Sequence, residues 1–102
     1  MDYNPSMKTV LKHENFAKWF NALKDRQTKM RIQVRIDRAE IGNYGDCEPV
    51  GEGVLELRMH FGSGYRVYFI ERGLEIIVLL AGGDKATQSD DIKRAIELSK
   101  EI

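Results

Sequence analysis

The chain has 102 residues, 42% hydrophobic and 9% aromatic, and its 16 Lys and Arg balance 16 Asp and Glu to a formal charge of zero. That length holds one domain, residues 1–102, with enough apolar residues for a core, which excludes a disordered chain. One cysteine, Cys47, excludes an internal disulfide and a thiolate metal site, and no apolar run approaches the ~18 residues of a membrane span, so a reducing, cytoplasmic setting without a membrane partner is expected.

The zero is a cancellation of blocks. Residues 8–38 carry nine cations against Glu14, Asp25 and Asp37, whereas residues 39–57 hold Glu40, Asp46, Glu48, Glu52 and Glu56 with no Lys or Arg. The basic block reads either as solvated helix faces or as a nucleic-acid footprint carried by Lys24, Arg26, Lys29, Arg31, Arg35 and Arg38.

Phe16, Phe20 and Leu23 recur at helical spacing, which predicts an amphipathic helix over Glu14 to Leu23, with Trp19 packing beside them. Met30 to Ile41 is ambiguous: Met30, Ile32, Val34 and Ile36 alternate as in a strand, while Ile32, Ile36 and Ala39 fit a helical stripe. Asp25 as a cap at the start and Gly42-Asn43 at the end favour helix. The glycines and Pro49 between Asn43 and Gly53 predict a connecting loop.

From Val54 the period changes to two. Leu55, Leu57, Met59 and Phe61 alternate with Glu56, Arg58 and His60, and after Gly62-Ser63-Gly64 the residues Tyr65, Val67 and Phe69 alternate with Arg66, Tyr68 and Ile70. A hairpin with a three-residue loop would place Met59 opposite Val67 and Leu57 opposite Phe69 on an apolar face, and His60 opposite Arg66 and Arg58 opposite Tyr68 on a polar one. A turn at Arg72-Gly73 returns through the apolar run Glu75 to Ala81, a buried strand, and Thr87, Ser89 and Asp90-Asp91 open a closing amphipathic helix. The expected class is α+β: an antiparallel sheet packed against two N-terminal helices, with a short C-terminal helix.

Arg58, His60, Arg66 and Tyr68 on one sheet face suit metal-independent RNA cleavage. Guanidiniums bind phosphate, and His or Tyr is able to move the ribose 2′-hydroxyl proton. Lys85, leaving the end of a buried strand, reads either as a further phosphate contact or as a solvated loop lysine. The alternative is a solvated sheet surface with Arg58 paired to Glu56 or Glu75. His13 lies far in sequence from His60, no carboxylate spacing matches a metal motif, Cys47 lacks a neighbouring histidine, and Gly82-Gly83-Asp84-Lys85 lacks the full phosphate-loop pattern. No metal or cofactor is implied.

Gly53-Val54-Leu55-Glu56-Leu57-Arg58, Gly64-Tyr65-Arg66-Val67-Tyr68-Phe69 and Gly82-Gly83-Asp84-Lys85, with Phe16 to Trp19, Arg35 to Arg38, Gly45-Asp46 and Gln88 to Ala95 in the same order, resemble the HigB-like addiction-module killer proteins, the phage-related branch of the RelE/ParE toxin superfamily. The resemblance implies the RelE-like fold and a bacterial or phage toxin of a type II toxin-antitoxin system. Its members cleave mRNA, commonly on the translating ribosome, and a cognate antitoxin holds them inactive. That antitoxin is usually a helix-turn-helix protein, and a toxin-antitoxin heterotetramer is one expected assembly. The resemblance places Arg58, Arg66 and Lys85 at the basic positions of the family's nuclease site. It departs from that site at Glu56, where the better-known nucleases have lysine, and at Gln88 to Asp91, which lacks their C-terminal tyrosine. His60 is then the first proton-transfer candidate and Tyr68 the second. Two other readings share the fold: a ParE-like inhibitor of DNA gyrase without nucleolytic chemistry, and a module whose only role is in an autorepressing complex.

Overall fold

The computed structural model describes residues 7–102; residues 1–6 of the expected domain lie outside them. The elements run β1 (Thr9–Lys12), α1 (Glu14–Ala22), α2 (Arg26–Glu40), β2 (Cys47–Gly51), β3 (Val54–Arg58), β4 (Arg66–Arg72), β5 (Ile76–Gly83), a 3-10 turn (Lys85–Thr87) and α3 (Gln88–Glu101). They build one five-stranded sheet in the order β1-β5-β4-β3-β2.

Most pairings are antiparallel, and β4 is central as its neighbours predict, but β1 adds to β5 in parallel. That strand escapes the sequence because Thr9-Val10-Leu11-Lys12 is too short to show a period, and tertiary pairing alone makes it extended. The expected loop between Asn43 and Gly53 is also corrected. Cys47–Gly51 is an edge strand on β3, a place where Pro49 is tolerated because the outer side of an edge strand needs no amide donor.

Both N-terminal helices form where expected. His13 caps α1 through Nδ1, which accepts from Asn15 N at 3.0 Å, and Asp25 caps α2 by accepting from Gln27 N and from the Thr28 hydroxyl. The ambiguity over Met30 to Ile41 resolves as helix: Thr28, Ile32, Ile36 and Ala39 form the buried stripe, while Met30 and Val34 are exposed. The chain leaves α2 through Gly42 at φ +87°.

The sheet is covered on both faces. Phe16 of α1 and Ile32, Ile36 and Ala39 of α2 pack on Leu57, Met59, Val67, Phe69, Ile77 and Leu79. On the opposite face Ala95 and Leu98 of α3 pack on Val54, Tyr68, Val78, Leu80 and Ala81. Full burial of each Leu, Ile or Phe stabilises by roughly 1.5–3 kcal/mol, and β4 contributes to both layers through alternate residues. A register shift between Tyr68 and Phe69 lets Leu80 and Ala81 turn to the same side. No helix among the described residues is long and apolar enough to cross a membrane.

Candidate functional site

The hairpin register differs from the expected one by two residues: Leu57 faces Val67, Glu56 faces Tyr68, and Arg58 faces Arg66. A shift of two preserves which sheet face each side chain occupies and changes only its partner. The cause lies at the tip. Strand β3 ends at Arg58, and Met59 N still reaches Tyr65 O at 3.0 Å, so Met59 to Tyr65 form a wider connection than a three-residue turn. His60 therefore belongs to that connection and does not stand opposite Arg66, and Arg58 does not stand opposite Tyr68.

Nor is the polar face an open surface. Tyr68 is fully buried beneath α3, and its hydroxyl donates to Glu56 Oε2 at 2.9 Å. Burial first, and then that carboxylate, raises the tyrosine pKa well above its usual range. Tyr68 therefore holds Glu56 and is withdrawn from the cleft. Glu56, itself 2% exposed, also accepts from Gln88 Nε2 at 2.9 Å and lies 3.6 Å from Arg66 Nε, so one buried carboxylate ties β3 to β4 and α3. A lysine at this position would place a second cation beside Arg66.

Arg66 is 8% exposed, and its Nη1 donates to Gly64 O at 2.6 Å. Gly64 has to be glycine: its φ is +78°, and a Cβ there would meet Lys85 Cβ at 3.2 Å and Arg66 Nη1 at 3.3 Å. Lys85 N donates to Ser63 O, which brings the lysine to the same hairpin tip. On the other side, Arg58 reaches the acidic block, with Nε 3.8 Å from Asp46 and Nη1 3.7 Å from Glu48, and not Glu56 or Glu75. The Nε atoms of both Arg58 and Arg66 are buried without a hydrogen-bond acceptor among the described residues.

Arg58, His60, Gly64, Arg66 and Lys85 line a cleft of about 550 Å³. Four of the five expected catalytic residues thus converge, and Tyr68 alone is buried elsewhere. His60, with its side chain 70% exposed, has Nε2 2.5 Å from Asp46 Oδ2. That contact, ahead of the nearby Arg58, holds the Asp46 carboxyl below its usual range against a smaller opposing effect of burial. Asp46, Glu48 and Gln88 were not singled out by sequence reasoning. For Asp46 and Glu48 a signal exists in the acidic block, which the chain lays beside Arg58 just before and within β2, whereas Gln88 lies outside that block.

The basic helix divides in two. Arg31 and Arg38 line a groove of about 420 Å³ with Val34, and the groove shares Met59, His60 and Phe61 with the cleft; Arg31 stacks over the Phe61 ring at 3.9 Å. Arg35 also borders the groove but is committed internally, donating to Arg58 O at 2.6 Å, Tyr44 O at 2.9 Å and Asp46 O at 3.2 Å. Lys24, Arg26 and Lys29 sit at the α1–α2 turn, where Lys29 donates to Asn21 O.

No protein-family model matches the chain. It is 43% identical over 96 residues, 94% of each chain, to an uncharacterized protein of Haemophilus influenzae. Among solved structures it is similar to that of the E. coli toxin RelE in the free state, a mutant, with a TM-score of 0.72, 12% identity, and 89% of this chain and 96% of that chain covered. The fold is RelE-like.

Proposed function

We propose that this chain, which belongs to the same family as the Haemophilus influenzae protein and is built on a RelE-like fold, is the toxin of a type II toxin-antitoxin system and a metal-independent endoribonuclease. One observation carries the reading: Arg58 and Arg66 face each other across β3 and β4 and line one cleft with Lys85 and His60. Two guanidiniums on paired strands, with Lys85 lining the same cleft, suit an anion that accepts from their outer N–H groups. A phosphodiester is such an anion.

In this reading the neutral His60 imidazole donates from Nε2 to Asp46, since a carboxylate only accepts, and Nδ1 is left with a free lone pair. Nδ1 takes the ribose 2′-hydroxyl proton, and the 2′ oxygen forms a bond to phosphorus. Arg58 and Arg66 stabilise the charge gathering on the phosphate oxygens, and the bond to the 5′ oxygen breaks. Lys85 protonates that oxygen, and the products are a 2′,3′-cyclic phosphate and a 5′-hydroxyl.

Arg31 and Arg38 continue the cationic surface beyond His60, which supports mRNA, held on the translating ribosome, as the substrate. The cytoplasm is the place of action and a cognate antitoxin, of the helix-turn-helix kind, the expected partner. Induction of the wild type and of Arg66→Ala, with mapping of mRNA 5′ ends, tests the proposal. New ends that vanish in Arg66→Ala are expected. Growth arrest with intact transcripts and lost DNA supercoiling would instead identify a gyrase inhibitor.

A further inference from the structure

A second cavity, of about 380 Å³, adjoins the cleft and is lined by Trp19, Tyr65, Gly82, Gly83, Thr87 and Asp91 among others. Two neighbouring chain segments separate them. Gly64 and Lys85 line the cleft while Tyr65 and Asp84 line this pocket, and the segments are joined by the hydrogen bond from Lys85 N to Ser63 O. The cleft with Arg58, Arg66 and Lys85 and this pocket thus lie on either side of the same two segments.

The pocket is built by an interruption of the sheet. Strand β1 stops at Lys12, opposite Leu79, so among the described residues the outer edge of β5 from Ala81 to Gly83 has no strand beside it. Trp19 of α1 closes over one side of that edge and Asp91 of α3 over the other. A side chain at Gly82 would overlap the Trp19 ring, and one at Gly83 would overlap the Asp91 carboxylate. The Gly82-Gly83 pair is explained by these two contacts and not by a phosphate loop. The Thr87 hydroxyl fixes Asp91 by donating to Oδ2 at 2.5 Å, while Asp84 is occupied with Ala86 N and Thr87 N.

An aromatic wall, a free backbone edge and a fixed carboxylate suit a flat ring that presents N–H donors. Among the bases, guanine offers N1–H and the N2 amino group side by side, matching the two oxygens of one carboxylate, whereas adenine and cytosine offer one amino group each and uracil a single N–H. We propose that this pocket receives the nucleobase beside the cleaved phosphate and that Asp91 selects guanine there. The inference rests on the ribonuclease reading for its substrate, yet it can be tested without cleavage.

Trp19 is the only tryptophan, so its fluorescence reports on the pocket. The purified protein is titrated with the 3′- and 5′-monophosphates of guanosine, adenosine, cytidine and uridine, with correction for nucleotide absorbance. Saturable quenching by a guanosine monophosphate is expected, with a midpoint about tenfold lower than for the other bases and weakened about tenfold in Asp91→Asn. Equal midpoints for the four bases, no saturable change, or an unaltered Asp91→Asn titration would overturn the proposal. If Asp91→Asn does not fold, Thr87→Val, which frees the carboxylate, serves in its place; it too must weaken guanosine binding, and an unchanged midpoint sinks the idea. A chain that binds guanosine monophosphate but leaves transcripts uncut fails the ribonuclease reading alone, and one that cuts transcripts without base selectivity fails this inference alone.

Discussion

Asp46 and His60 meet with 2.5 Å between Oδ2 and Nε2, joining the residue just before β2 to the connection that follows β3. The pair orients an exposed imidazole that its own strand does not hold. Asp46→Asn is expected to leave the chain folded, lower mRNA cleavage about tenfold or more, and change the shape of the pH–rate profile, because the tautomer that frees Nδ1 is no longer enforced. Rate measurements across neutral pH for wild type, Asp46→Asn and His60→Gln check this; an Asp46→Asn profile superimposable on the wild type contradicts it.

The same pair has a signature in stability. The Asp46 carboxyl titrates below its usual 3.8 in the folded chain, so its contribution is present above that pH and lost as pH falls through the lower folded value. The difference in melting temperature between wild type and Asp46→Asn is expected to be largest near neutrality and to close in the acid range below 3.8. Paired thermal melts across that range measure it.

Tyr68 holds Glu56 and stays out of the cleft, so Tyr68→Phe acts on stability. Removing the hydroxyl takes one of two hydrogen bonds from a buried carboxylate, a loss of about 1–3 kcal/mol in chemical denaturation. The pH–rate profile is expected to keep its shape. A changed profile would return Tyr68 to proton transfer.

Arg35 and Arg38 lie one turn apart on α2 and predict opposite behaviour. Arg35→Ala removes the side-chain donor to the carbonyls of Tyr44 and Arg58, while Asp46 O keeps its bond from Arg58 N, and it is expected to lower the melting temperature markedly. Arg38→Ala, at the exposed rim of the groove, is expected to leave melting unchanged and to reduce the salt dependence of RNA association by about one ion. Melts and binding titrations at several salt concentrations separate the two.

Gly82→Ala tests the close approach of α1 to β5. The added methyl group overlaps the Trp19 ring, a strain of about 1–3 kcal/mol if the indole shifts to accommodate it. Denaturant melts read the loss, and a changed Trp19 emission maximum is expected with it.

The sequence by itself determined the elements whose signal is local. Periods of 3.6 residues placed α1 and α3, a period of two placed β3 and β4, and an Asp25 cap with a Gly42 stop favoured helix for α2, which the buried stripe of Ile32, Ile36 and Ala39 then settled. It also determined which side chains share a sheet face, because alternation survives a register shift of two. Only the tertiary structure decided the partners. Strand β1 exists because β5 offers it an edge, and β2 brings Asp46 and Glu48 to Arg58 because Cys47 to Gly51 pair with β3. Packing of α3 over β4 turned an expected open polar face into a second core, with Tyr68 inside and Arg58 and Arg66 at its margin. The formal charge of zero thus becomes an arrangement in space: carboxylates sit against the guanidiniums, and among the described residues two Nε–H donors remain unmet. Net charge sums over the chain, whereas binding depends on which opposite charges the fold places within reach of each other.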